Sequence, residues 1–243
     1  MAGPYHREQR RLIRNRVEGT DPPIGRPPLI ELAPGLVQHP GYLGPAAQAA
    51  LAAELARVID EAPPFTPTMP RTAKPFSVQM TNCGPLGWVS DRAGYRYQPH
   101  HPETGRPWPP IPAALLAAWD DLVGFPHPPE ACLVNLYAPG SRMGLHQDRD
   151  EAEFAAPVLS LSLGATAIFR YGGLRRGDPT RSIRLRGGDA LVIGGASRLI
   201  FHGIDRIVAE PPDLLAAPLL PQAVPPGGRL NLTLRRVSAA RPA

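Results

Sequence analysis

The run RLNLTLR, residues 229–235, alternates without a break between a polar or charged side chain and a leucine. Successive side chains of a strand point to opposite faces, so Arg229, Asn231, Thr233 and Arg235 share one face and Leu230, Leu232 and Leu234 the other. The leucine face belongs to a core. The polar face has two readings: ordinary exposure to solvent, or the lining of a cavity inside a barrel. In the second case two guanidiniums lie away from water, and an uncompensated buried charge costs several kcal/mol.

Outward from this strand, CLVNLY (132–137), VLSLSLG (158–164), AIFRY (167–171), SIRLR (182–186), ALVIGG (190–195) and RLIFHG (198–203) are short β-rich runs broken by Gly, Pro and Asp. Such spacing predicts a sandwich or barrel. Earlier in the chain, PAAQAALAAELARVIDEA (45–62) has apolar residues at helical spacing and stops before Pro63 and Pro64. A second helix is expected over 112–123, from Pro112 to Gly124. Residues 76–110 between them read as a short strand-like piece and a long aromatic and basic loop. The Arg- and Pro-rich residues 1–28 read as a flexible arm, and the Pro-rich insertion 209–228 as an exposed loop. The expected fold is mainly β with flanking helices.

The 243 residues suit one well-cored domain. No apolar run is long enough to span a membrane, and no signal-peptide core opens the chain. Two cysteines, Cys83 and Cys132, are too few for a disulfide scaffold and fit a reducing cytoplasm. Basic residues outnumber acidic ones by 26 to 21, for a net charge of +5. That excess is compatible with a nucleic-acid partner but does not require one.

HQDRDE (146–151) places a histidine and three acids beside these strands. On extended backbone His146 and Asp148 point the same way, so both can reach one cation. Chance alone gives some H-x-D in roughly a third of such chains, so the pair needs a third ligand. His202 follows the apolar run RLIF and precedes a glycine. It reads either as a hydrogen-bonded strand-end histidine or as that ligand. Two histidines and one carboxylate leave positions open for oxygen and a co-substrate, as in non-haem Fe(II) oxygenases. A dicarboxylate such as 2-oxoglutarate, with one end on each of Arg229 and Arg235, would answer the buried charge of the last strand. Asn135 and Tyr137 share a strand face and offer it further donors.

Taken together, MTNCGPLGW, GYRY, CLVNLYAPG, LHQDRDE, PVLSLSLG, IFRYGGLRRGDP, GGASRLIFHG and RLNLTLR resemble, in this order, the AlkB family of Fe(II)/2-oxoglutarate-dependent dioxygenases, which repair alkylated nucleic acid. The resemblance covers most of 76–237. It implies a double-stranded β-helix (jelly-roll) core over 131–237. Residues 29–130 would supply helices and a nucleotide-recognition lid in the same globular domain. It places iron on His146, Asp148 and His202. It places 2-oxoglutarate on Arg229 and Arg235, with Asn135, Tyr137 and Asn231 assisting. Trp88 resembles the aromatic that stacks on a flipped base, and Tyr95 and Tyr97 resemble lid residues near the nucleotide backbone. Met80, Asp150 and Arg176 match other substrate-pocket positions.

The implied reaction spends O2 and 2-oxoglutarate to hydroxylate the methyl group of a base such as 1-methyladenine or 3-methylcytosine, releasing succinate and formaldehyde. The expected partner is alkylated DNA, single-stranded by preference, with RNA as a further substrate; the protein is expected to be a monomer. Three alternatives stand beside this: the same chemistry on tRNA, protein or a small molecule; a Zn(II) or Mn(II) jelly-roll enzyme; and a non-catalytic nucleic-acid-binding module. The long insertion and Ile193, where the family pattern suggests an aromatic, are departures that bear on lid shape and substrate.

Overall fold

The computed structural model describes residues 28–208 and 220–239. Strands β1 (Ile30–Ala33) and β2 (Leu36–His39) precede helix α1 (Pro45–Glu61). Next come β3 (Gln79–Cys83), β4 (Gly87–Asp91), β5 (Gly94–Gln98) and helix α2 (Ala113–Leu122). The chain continues through β6 (Ala131–Tyr137), β7 (Met143–His146), β8 (Val158–Gly164), β9 (Ala167–Tyr171) and β10 (Arg181–Leu185). β11 (Ala190–Ile193), β12 (His202–Ile207) and β13 (Arg229–Arg235) complete it. Almost all of the expected arm and residues 209–219 of the insertion lie outside the described residues.

β13 sits inside a seven-stranded sheet of order β1-β2-β11-β8-β13-β6-β3, and a four-stranded sheet of order β10-β9-β12-β7 forms the other wall. Every pairing is antiparallel, and the two walls make the jelly roll. Register explains the alternation in RLNLTLR. Leu230 and Leu232 align with Leu136 and Val134 on one side and with Leu163 and Leu161 on the other. This leucine face packs on Leu51 and Leu55 of α1 and on Leu115 and Trp119 of α2. Burying each such leucine contributes about 1.5–3 kcal/mol. The opposite face aligns Asn135, Asn231 and Ser162 in one row and Leu133, Thr233 and Ser160 in the next, turned into the roll. There the aromatic and branched side chains of the smaller sheet, Phe169, Tyr171 and Ile204, form the second core with Leu133 and Ile193.

Four segments differ from the sequence expectation. RLIFHG is not a strand ending in His202: residues 195–197 form a 3-10 turn and β12 begins at His202. The buried Arg198 is the cause. Its Nε donates to the Ala156 carbonyl (2.9 Å) and its Nη1 to the Asp148 carbonyl (2.7 Å), which pins 198 in a turn against the 148–156 segment. The expected loop after residue 86 is instead the hairpin β4–β5, whose turn is closed by Gly94 at φ 113°. β1, β2 and β3, all from the N-terminal part, complete the larger sheet, so residue 131 marks no structural boundary. Finally, the end of the insertion is packed: Val224 is buried and Leu220 lies against the helix-side core.

Candidate active site

His146 ends β7 and His202 begins β12, and the two are register partners across those strands. Pairing therefore fixes their spacing, with ring centroids 4.6 Å apart. Asp148 lies just past β7, its Oδ1 3.6 Å from His146 Nε2 and its Oδ2 3.6 Å from His202 Nε2. One ligand atom from each of the three lies within 4.8 Å of the others. Each histidine turns Nδ1 to a main-chain carbonyl, Gly144 at 2.9 Å for His146 and Ile200 at 3.2 Å for His202. A proton held on Nδ1 leaves the Nε2 lone pair for a metal.

The protonation states agree with that use. Burial pushes His202 down to about 4 against the opposing pull of Asp148, so the ring is neutral at neutral pH. Burial also favours the neutral acid of Asp148. The Arg235 guanidinium beside it outweighs burial and holds the carboxyl well below the usual range. Two imidazoles and one carboxylate form a nitrogen-and-oxygen donor set suited to a first-row divalent ion such as iron(II).

The triad lines a cavity of about 1290 Å³ between the two sheets and the β4–β5 hairpin. Asn135, Tyr137, Asn231 and Arg235 line it too; Arg229 lies behind them, fully buried. Arg229 Nη1 donates to the carbonyls of Ala165 and Leu185, each at 2.9 Å, and Nη2 to Ser162 Oγ. No carboxylate among the described residues pairs with it. Lost hydration pushes its guanidinium down to about 10.

Arg235 is different. It meets Asp148 Oδ1 at 2.7 Å and Glu151 Oε1 at 2.9 Å. The expectation that both guanidiniums await an acid is therefore corrected: protein carboxylates already compensate Arg235, and only Arg229 stands without one. Arg229 Nε, Arg235 Nε and Asn135 Oδ1 are buried with no hydrogen-bond partner. Each such group costs about 1–3 kcal/mol unless a ligand meets it. Two cationic donors and a polar floor beside the triad fit a small diacid.

At the mouth, Trp88 stacks on Tyr95 with centroids 5.6 Å apart and planes at 17°. Trp88 Nε1 donates to Asp150 Oδ2 at 2.8 Å. Met80 and Arg176 line the same cavity, Arg176 lying 4.8 Å over the Phe201 ring. Tyr97 does not join them. Although it is the register partner of Trp88, its hydroxyl donates to Glu151 Oε1 and accepts from Arg235 Nη1 (3.0 Å), below the cavity wall. Against the expected place beside a nucleotide backbone, its polar end is held by a buried ion pair. Sequence reasoning missed Glu151 and Arg198. Their one signal was an acid directly after Asp150 and an arginine inside an apolar run.

The chain matches the model of the 2OG-Fe(II) oxygenase superfamily over residues 35–235. An alpha-ketoglutarate-dependent dioxygenase AlkB homolog of Caulobacter vibrioides is 51% identical over 211 residues, covering 87% of this chain and 91% of that protein. The alpha-ketoglutarate-dependent dioxygenase AlkB of Escherichia coli K12 is 49% identical over 138 residues, covering 55% and 64%. The solved structure of OsALKBH1 superposes with a TM-score of 0.73 at 32% identity, covering 86% of this chain and all of that one. With the triad, the two buried guanidiniums beside it and this extent of likeness, the chain belongs to the AlkB family of Fe(II)/2-oxoglutarate-dependent dioxygenases.

Proposed function

We propose that the protein removes methyl groups from the nitrogens of alkylated bases in DNA, single-stranded by preference, and that RNA is a further substrate. The observation that carries this is the stacked Trp88–Tyr95 pair with Asp150 bonded to its edge, at the mouth of the cavity that holds the triad. A base drawn out of its strand loses its stacking, and an aromatic face returns about 1–3 kcal/mol per base. The carboxylate of Asp150 suits the positive charge of 1-methyladenine or 3-methylcytosine.

Bound iron(II), with 2-oxoglutarate and dioxygen, supplies the oxidation: the diacid becomes succinate and carbon dioxide, and one oxygen atom enters a methyl C–H bond. The protein's part is placement. His146, Asp148 and His202 would hold the metal, Arg229 and Arg235 the diacid, with Asn135, Tyr137 and Asn231 around it. Trp88 and Asp150 would present the methyl group, and Met80, Tyr95 and Arg176 would wall the slot. The hydroxymethyl product loses formaldehyde and leaves an N–H. We read the protein as a monomer. The two free cysteines support a reducing compartment such as the cytoplasm. No described helix is long and apolar enough to cross a membrane.

The test is mass spectrometry of single-stranded DNA, duplex DNA and RNA carrying 1-methyladenine or 3-methylcytosine, incubated with iron(II), 2-oxoglutarate and air. One succinate and one formaldehyde should appear per base restored, fastest on single-stranded DNA, and His146→Ala should stop both. Succinate formation no faster with any methylated strand than without one would remove the nucleic-acid reading.

A further inference from the structure

Beneath the cavity lies a closed set of two acids and two guanidiniums. Arg235 gives Nη2 to Asp148 Oδ1 (2.7 Å) and Nη1 to Glu151 Oε1 (2.9 Å) and Tyr97 Oη (3.0 Å). Arg198 gives Nη2 to Glu151 Oε2 (3.1 Å) and Nη1 to the main-chain oxygen of Asp148 (2.7 Å). Tyr97 donates to the same Glu151 Oε1. The Glu151 side chain is wholly buried.

The geometry addresses a conflict built into the site. A guanidinium next to a carboxylate prefers to pair with both of its oxygens through two parallel N–H groups. An unrestrained Arg235 would take both oxygens of Asp148 and so compete with a metal for them. Here Nη1 is committed to Glu151 and Tyr97, so Asp148 receives one bond, on Oδ1. Its Oδ2 remains 3.6 Å from His202 Nε2. Arg235 Nε also stays without a partner.

We infer that Tyr97 and Glu151 are positioning residues that anchor one edge of Arg235, so that the guanidinium orients Asp148 and the diacid without capturing the metal ligand. Tyr97 belongs to the hairpin whose Trp88 holds Asp150, so one lid element grips the 148–151 segment at two points. The inference rests on the metal-and-diacid reading of the cavity, not on the nucleic-acid substrate.

Tyr97→Phe keeps the ring and deletes one oxygen, so it separates this role from contact with a nucleotide. The measurement is anaerobic titration of 2-oxoglutarate into the iron(II) protein without nucleic acid, followed by the visible charge-transfer absorption of the complex. A parallel titration uses a methylated oligonucleotide. The dissociation constant for the diacid should rise about tenfold, the scale of one hydrogen bond to a charged group, with oligonucleotide binding within about twofold of wild type. Glu151→Gln, which keeps one acceptor oxygen, turns the other into an NH2 and removes the charge, should in addition weaken Co(II) binding in the absence of diacid. Unchanged diacid affinity in Tyr97→Phe overturns the inference, whatever happens to the oligonucleotide. Wild-type protein that shows no absorption change with 2-oxoglutarate overturns both it and the cofactor reading. Activity on methylated DNA enters neither outcome.

Discussion

Arg229 lies fully buried behind the cavity lining with no carboxylate among the described residues at ion-pair distance, and Asp189 acts on it only from farther away. Its hydrogen bonds to two carbonyls and a serine satisfy part of the guanidinium but supply no negative charge. Replacing it with Gln should raise the KM for 2-oxoglutarate ten- to hundredfold, from a loss of about 1.5–3 kcal/mol of charged hydrogen bonding. Metal binding measured without the diacid should move less than about twofold. A KM within twofold of wild type would place the diacid elsewhere. At this scale the sequence was informative about ligands and poor about partners. Alternation in RLNLTLR and the i, i+2 spacing of His146 and Asp148 put the right side chains on the right faces. Nothing local told that Glu151 would neutralise Arg235, because that pair spans 84 residues of chain. The partner of the Tyr97 hydroxyl was hidden for the same reason: Glu151 lies 54 residues along the chain.

The metal ligands depend on two strands lying close. Gly203, on β12, sits where a Cβ would be 2.4 Å from the Met143 carbonyl oxygen and 2.8 Å from that of Gly144, both main-chain atoms of β7. Gly203→Ala must push β12 off β7 and so separate His202 from His146. A stability loss of about 1–3 kcal/mol is expected from such overpacking, with at least a tenfold loss of Co(II) affinity by calorimetry. Retention of wild-type metal affinity would show that this pairing does not set the ligand spacing. On the other face of the larger sheet, Leu232→Ala should cost about 2–5 kcal/mol in denaturant unfolding and leave the diacid KM within about twofold, since the leucine faces the helices. Elements with strong periodicity, α1, α2 and the strands β6, β8, β9, β10, β11 and β13, were readable in the sequence. β1 and β2 were not, being four residues each around a Pro-Gly turn. The β4–β5 hairpin hid because its aromatic and basic residues suit a binding loop equally well. RLIFHG failed because a buried arginine bends an apolar run that periodicity alone would extend.

For the whole molecule, part of the positive charge gathers at the cavity. Arg71, Lys74, Arg142, Arg149 and Arg176 all line the cavity that the triad faces. If about three of them meet phosphates of a single strand, a fourfold rise in salt should weaken oligonucleotide binding about twentyfold. The buried diacid site should change far less. Equal salt dependence of the two, followed by fluorescence anisotropy and by diacid titration, would count against a strand lying across the mouth. Strand spacing pointed to a sandwich or barrel and the family resemblance to a jelly roll; the two faces of β13 meet helices on one side and a polar cavity on the other.

The most direct measurement is anomalous diffraction from anaerobic crystals grown with iron(II) and 2-oxoglutarate. The expected result is one iron peak in contact with His146 Nε2, His202 Nε2 and Asp148, and a diacid reaching from the metal to Arg229. An iron peak away from these three atoms, or a diacid with neither carboxylate on Arg229, would contradict it.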